Sequence, residues 1–138
     1  MNTDNKLKNE LIVIKKSKIP RAGLGAFANK DISQGTKIGE YKGDVLDKKA
    51  YDKLKNTFYT FEVAKKNKKG SYKTYYIDAS KKKAGRELRF VNGAHGNKQR
   101  KLINLEAYQY AEKIFYRAHK NIRAGEELII DYGDNYWV

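Results

Sequence analysis

Two apolar runs in the last third of the chain end on polar residues, and this constrains the fold more than any other feature. RFVN (89–92) carries an apolar run into Asn92, and GEELIIDYGDNYW (125–137) carries another into Asp131-Tyr132-Gly133. Both read as strands. The stretch between them, 104–122, reads as more strand. Two strand ends bearing an amide and a phenol place a small polar pocket in an otherwise apolar wall.

The rest of the chain supplies more short strands. LIVIKK (11–16) is rich in β-branched residues, FYTFEVA (58–64) alternates, and TYYIDAS (74–80) follows a lysine-rich turn at 65–73. Apolar residues at 46, 50, 51, 54 and 58 predict a helix of roughly three turns over 46–58, with Asp47 as its N-cap. Gly23-Leu24-Gly25, just after Pro20, is a turn signal that also lets backbone approach a ligand without a side chain in the way. A second turn is expected at Gly85 before 86–92. There is no internal repeat. The pattern predicts one small, mainly β domain with short helices over 1–138, and residues 1–10 read as a flexible N-terminal start.

Composition removes several classes of function. The chain of 138 residues has no cysteine, which excludes disulfides and thiolate zinc sites. His95 and His119 are the only histidines, so no metal site is expected, and His95 reads as a loop residue. No apolar run reaches 18 residues, so no membrane span is expected, and MNTDNKLKNE lacks the apolar core of a secretory signal. An intracellular protein is the resulting expectation. Residues 65–101 hold 13 basic and 2 acidic residues, net +11 of a chain total of +14, whereas 102–138 is net −2. The lysines of 65–69 and 81–83 read either as solvated loops or as a flank for phosphate, such as nucleosomal DNA. Lysine outnumbers arginine 24 to 6, which favours diffuse attraction over base-edge recognition.

Taken together, R-F-V-N, I-x-x-G-E-E-L and D-Y-G resemble the end of the SET domain of lysine methyltransferases. NLEAYQY and KIFYRA, with I-P-R-A-G-L-G, E-Y-K-G and Y-Y-I-D-A upstream, resemble its PR branch more closely. The match runs over 18–137 in the family's order and covers the catalytic unit without cysteine-rich flanks. It implies small sheets around a knot-like core, in which the C-terminal segment passes through or under the loop after Asn92. It implies S-adenosylmethionine as methyl donor, held by Gly23, Leu24, Gly25, Tyr59, Asn92 and Gly93, with Trp137 stacking near the adenine or capping the core with Tyr136. Tyr132 and Tyr41 are implied as the tyrosines of the lysine channel, Tyr132 holding the amine for transfer.

Resemblance also fixes the expected partners. The substrate implied is a histone or other lysine-bearing tail, with nucleosomal DNA against 65–101, in the nucleus or on chromatin of a eukaryotic cell. The family's common Asn-His pair is Asn92-Gly93 here, so a catalytically silent PR/SET-like binding module stands as the alternative reading, and a basic nucleic-acid-binding protein as a third. Ile130 occupies the family's product-switch position. Having no hydroxyl, it implies products reaching di- or trimethyl-lysine. With Val138 last, closure of the channel is expected from the substrate, the 65–73 hairpin, or a second subunit in a homodimer.

Overall fold

A computed structural model describes residues 9–94 and 96–131. Its strands are short because turn residues interrupt every apolar run. Strand β1 (Ile12–Lys16) pairs antiparallel with β2 (Leu24–Ala28), Lys16 opposite Leu24. The loop between them closes through Ser17 N–H, which donates to the Gly23 carbonyl at 2.8 Å. A three-stranded sheet is ordered β4 (Asp44–Leu46), β6 (Tyr72–Asp78), β5 (Thr60–Lys66). The β5–β6 hairpin turns over 67–71, where the Asn67 carboxamide oxygen accepts from the Lys69 and Ser71 amides. This is the exposed turn expected at 65–73.

The third sheet holds the core. It runs β3 (Lys37–Glu40), β9 (Lys113–Ala118), β8 (Leu105–Tyr110), β10 (Ile129–Ile130), β7 (Asn92–Gly93). The tract 104–122 is therefore two strands, β8 and β9, joined by a tight turn at Ala111 and Glu112, both with positive φ. Strand β10 lies parallel to both neighbours, with Ile129 opposite Asn92 and Ile130 opposite Gly93 and Leu105. Strand β10 thus inserts between the two strands that the 94–104 connection links.

Asn104 holds that insertion. It is fully buried, its amide nitrogen donates to the Glu127 carbonyl at 2.9 Å, and its oxygen accepts from the Ile129 amide at 2.9 Å. A two-residue strand with buried ends needs such partners, because unpaired backbone groups are costly away from water. Leu105, Leu128 and Ile130 then pack with Ile38, Tyr116 and Ile122 into the apolar core.

Two expected elements come out differently. The helix predicted over 46–58 is only α1 (Lys48–Asp52). Its cap is as expected, Asp47 accepting from Ala50 N–H at 2.8 Å. Beyond it, Asn56 accepts from the Phe58 amide and turns the chain, a local bond that competes with helix. Tyr51 still docks the helix by stacking on Tyr76 at 3.8 Å, while Phe58 is exposed. The strand expected at 89–92 is a 3-10 helix, Glu87–Phe90, followed by β7. Arg89 donates to the Ala79 and Ser80 carbonyls, and Arg86 to that of Lys81, which folds the segment back on the end of β6. A second short helix, α2 (Gly96–Arg100), follows. Of the N-terminal start, residues 1–8 lie outside the described residues. Asn9 is tied down, donating to the Ile38 carbonyl at 2.6 Å.

Candidate active site

The two glycines of the β1–β2 loop serve different physical needs. Gly23 has φ +72°, a left-handed conformation that a Cβ disfavours, but a side chain there would meet nothing. Gly25 has ordinary backbone, yet a Cβ would run into the Glu127 carboxylate and stand 3.2 Å from the Asn92 amide nitrogen. That crowding exists because β2 and the 126–128 run are paired, with Ala28 N–H donating to the Glu126 carbonyl and Leu128 N–H to that of Ala26.

Around this junction lies a cleft of about 580 Å³. Leu24, Tyr59, Asn92 and Gly93 border it, together with the 19–22 loop and the 89–91 segment. Residues far apart in sequence are therefore brought to one place. Arg89 organises one wall. Its guanidinium lies 4.3 Å from the Tyr59 ring centroid and 5.0 Å from that of Phe90, while its hydrogen bonds fix it to the end of β6. A cation held against two aromatic faces fixes the rings as well as itself.

Asn92 supplies the polar floor. Its amide nitrogen donates to the Leu24 carbonyl at 3.1 Å and to Glu127 Oε2 at 3.3 Å. Both partners are acceptors, so the NH₂ group must face them, and the side-chain oxygen is left to accept. Glu127 also accepts from the Ser17 hydroxyl at 2.6 Å and the Lys18 amide at 2.9 Å.

Tyr41 stands at the edge of this site. Its ring is 2% exposed, its hydroxyl donates to the Tyr59 carbonyl at 2.9 Å, and it packs on Phe61 and Tyr116 with centroids 4.8 and 5.6 Å away. Tyr41 also borders a second cleft of about 510 Å³ with Lys42, Val45, Ile77, Glu112 and Lys113. The Tyr41–Tyr59 hydrogen bond thus links a residue that borders the second cleft to one that borders the first. At the rim of the second, Arg86 pairs with Asp44 at 2.7 Å and holds that carboxyl below the usual carboxylate range.

Several expected residues lie outside the described residues: Tyr132, Tyr136, Trp137 and His95. Ile130 is described and is wholly buried in the core cluster. A tyrosine there would overpack a filled site, so Ile130→Tyr costs folding stability before it can act on the product. Sequence reasoning missed Ser17, Arg89, Asn104 and Glu127. A carboxylate placed directly before the fully apolar Leu128-Ile129-Ile130 was the available signal for Glu127, because such a group is rarely drawn inward unless partnered.

The PR domain of PR domain zinc finger protein 2 matches residues 12–138. The chain belongs to the PR-domain family of SET-type lysine methyltransferase domains. Histone-lysine N-methyltransferase set-17 of Caenorhabditis elegans is 37% identical over 126 residues, covering 91% of this PR domain and 42% of that relative. This PR domain therefore spans less than half the length of that curated protein. Among solved structures, the methyltransferase domain of human PR domain-containing protein 2 is 30% identical with a TM-score of 0.73, over 90% of this chain and 78% of that one. The ATXR5 SET domain, solved in complex with a histone H3 di-methylated on R26, shares the fold with a TM-score of 0.70 at 24% identity, over 90% and 58% of the two chains.

Proposed function

We propose that this PR domain is an S-adenosylmethionine-dependent lysine methyltransferase acting on a histone or similar basic tail. The Tyr41–Tyr59 hydrogen bond, which links a residue of one cleft to a residue of the other, carries this reading, because a methyl transfer needs donor and acceptor sites side by side. The membership of the family and a histone-bound SET neighbour support it.

The first cleft fits the cofactor. Gly25 lets β2 come against Glu127 and Asn92 where a Cβ would clash, Asn92 presents an acceptor suited to an ammonium, and Tyr59 and Phe90 offer aromatic faces. Gly23, Leu24, Gly93 and, from the sequence, Trp137 complete the proposed set. Bound there, S-adenosylmethionine supplies an activated methyl group on a sulfonium.

This chain's own residues have three tasks. The lysine ammonium must shed a proton, against an ordinary pKa of roughly 10.4. Its nitrogen must be oriented, and water kept out. Tyr41 borders the second cleft and offers an aromatic face to a cationic amine there, and Phe61 and Tyr116 pack against it and keep water from its far side. The Tyr41 hydroxyl is itself anchored on Tyr59. Orientation of the amine is proposed for Tyr132, two positions after β10 and outside the described residues. No side-chain nucleophile is required.

Labelled S-adenosylmethionine with core histones and with nucleosomes tests the reading, alongside calorimetric titration of the donor. Transfer of label to lysine is expected. Tight binding without transfer would identify the silent module instead, and no binding would overturn both.

A further inference from the structure

We infer that Glu127 is a positioning residue of the cofactor cleft, acting through Asn92 rather than by touching the ligand. The inference rests on the cofactor reading above and adds a residue to it.

Glu127 is half-buried opposite Phe27, where the end of the chain pairs with β2. Its two oxygens meet three donors from two distant parts of the chain. Oε1 takes the Lys18 amide, and Oε2 takes the Ser17 hydroxyl and the Asn92 carboxamide. Ser17 is itself buried and accepts from the Ile19 amide at 3.0 Å, so its hydroxyl proton is committed to Glu127. A carboxylate is the one side chain of this size that offers acceptors only. It satisfies all three donors together.

The consequence falls on Asn92. With Glu127 on one side and the Leu24 carbonyl on the other, both amide protons are drawn inward. The cleft then receives the carboxamide oxygen, an acceptor for a cationic head such as the α-ammonium of a methionine. Remove the carboxylate and Asn92 is free to turn its NH₂ outward, presenting a donor where an acceptor is needed. The same carboxylate also ties the 17–19 loop to β10's approach, so the loop and the amide are set by one group.

Calorimetric affinity for S-adenosylhomocysteine decides this with four proteins: wild type, Glu127→Ala, Asn92→Ala and the double variant. Glu127→Ala is expected to weaken binding about tenfold, equivalent to about 1.4 kcal/mol. The double variant should bind no more weakly than Asn92→Ala alone, and KM for a peptide substrate should stay unchanged in Glu127→Ala. Losses that multiply in the double variant would overturn the inference while leaving the cofactor reading intact. A wild type that binds no ligand would overturn that reading, and the inference with it. If Glu127→Ala loses its cooperative thermal transition, Glu127→Gln carries the test. It keeps the shape and an oxygen that can accept from Ser17 and Asn92, so any loss of affinity it causes should vanish on an Asn92→Ala background, and a loss that persists there would overturn the proposal.

Discussion

The two clefts, linked by the Tyr41–Tyr59 hydrogen bond, are held by different sets of contacts. Around the first, the partners are far apart in sequence and withdrawn from water: Ser17 and Asn92 both reach Glu127, and Arg89 is buried beneath Tyr59. Around the second, Arg86 is about as buried as Arg89, but its partner Asp44 is partly exposed and the other ion pair lies at the surface. Arg86 meets Asp44, Lys65 meets Glu112 at 3.7 Å, and Val45 is 71% exposed. Breaking a buried hydrogen bond so that a group is left unpaired costs about 1–3 kcal/mol, whereas a surface ion pair contributes about 0–1 kcal/mol. The first cleft is therefore preorganised, as a site for one fixed ligand should be. The second is adaptable, as a site for a chain that varies along its length should be.

The largest effect should come from the tyrosine proposed to orient the amine. Tyr132→Phe removes one hydroxyl, and methyl transfer is expected to fall by about a hundredfold or more. Affinity for the methyl donor and the unfolding midpoint should hold. Near wild-type turnover would remove Tyr132 from the proposed chemistry and leave orientation to the described aromatic wall.

Next in size is Asn104→Ala. It strands the Ile129 amide and the Glu127 carbonyl beside β10, at about 1–3 kcal/mol for each unpaired group. Urea unfolding should show the loss. If the midpoint barely moves, β10 is held by its strand pairing alone. A paired comparison of glycines follows. Gly23→Ala should lower stability by about 1–2 kcal/mol through its left-handed backbone. Gly25→Ala should in addition weaken cofactor binding, because its Cβ displaces Glu127 and Asn92. Equal effects of the two on binding would contradict the separate reasons given for them.

What the sequence made legible follows the same division. The glycines, Asn92 and Tyr59 could be placed together because they stand in short motifs, and the strands because alternation is local. Glu127 could not be seen as a hub, since its partner Ser17 lies 110 residues away. Asn104 looks like any residue before a strand, and only the insertion of β10 gives it two backbone partners. The 46–58 helix was overextended because apolar spacing carries no information about the turn bond at Asn56. The 3-10 helix at Glu87–Phe90 depends on arginines reaching the carbonyls of 79–81, a tertiary effect that overrides the β character of R-F-V-N.

A smaller effect concerns the basic flank, proposed to meet nucleosomal DNA. Lys82 borders the first cleft and Lys83 the second, so both should be left in place. Replacing Lys66, Lys68, Lys69 and Lys81 by glutamine is expected to lower activity on nucleosomes several-fold and to flatten its salt dependence. Activity on free histone should change little. Equal losses on both substrates would place those lysines at the tail or the fold instead of at DNA.

The smallest effect, and the sharpest test of whether the two sides are independent, is acid. The Arg86 guanidinium lowers the Asp44 pKa chiefly by its hydrogen bond, and Arg117 does the same for Glu106 on the outer face of β8 and β9. A carboxyl whose folded pKa lies below its unfolded one adds stability above the ordinary carboxylate range. That stability is lost as pH falls through the depressed value. Both carboxylates are partly exposed, so each should contribute less than about 1 kcal/mol, and less again in high salt. Denaturant midpoints at neutral pH and below the carboxylate range should therefore converge slightly when Asp44→Asn and Glu106→Gln are combined. The same double variant should bind the methyl donor as wild type does, since neither group borders the first cleft. Weakened binding would show that the surface pair at Asp44 helps to set the cofactor side through Arg86 and the 3-10 helix, and that the two clefts are one mechanical unit.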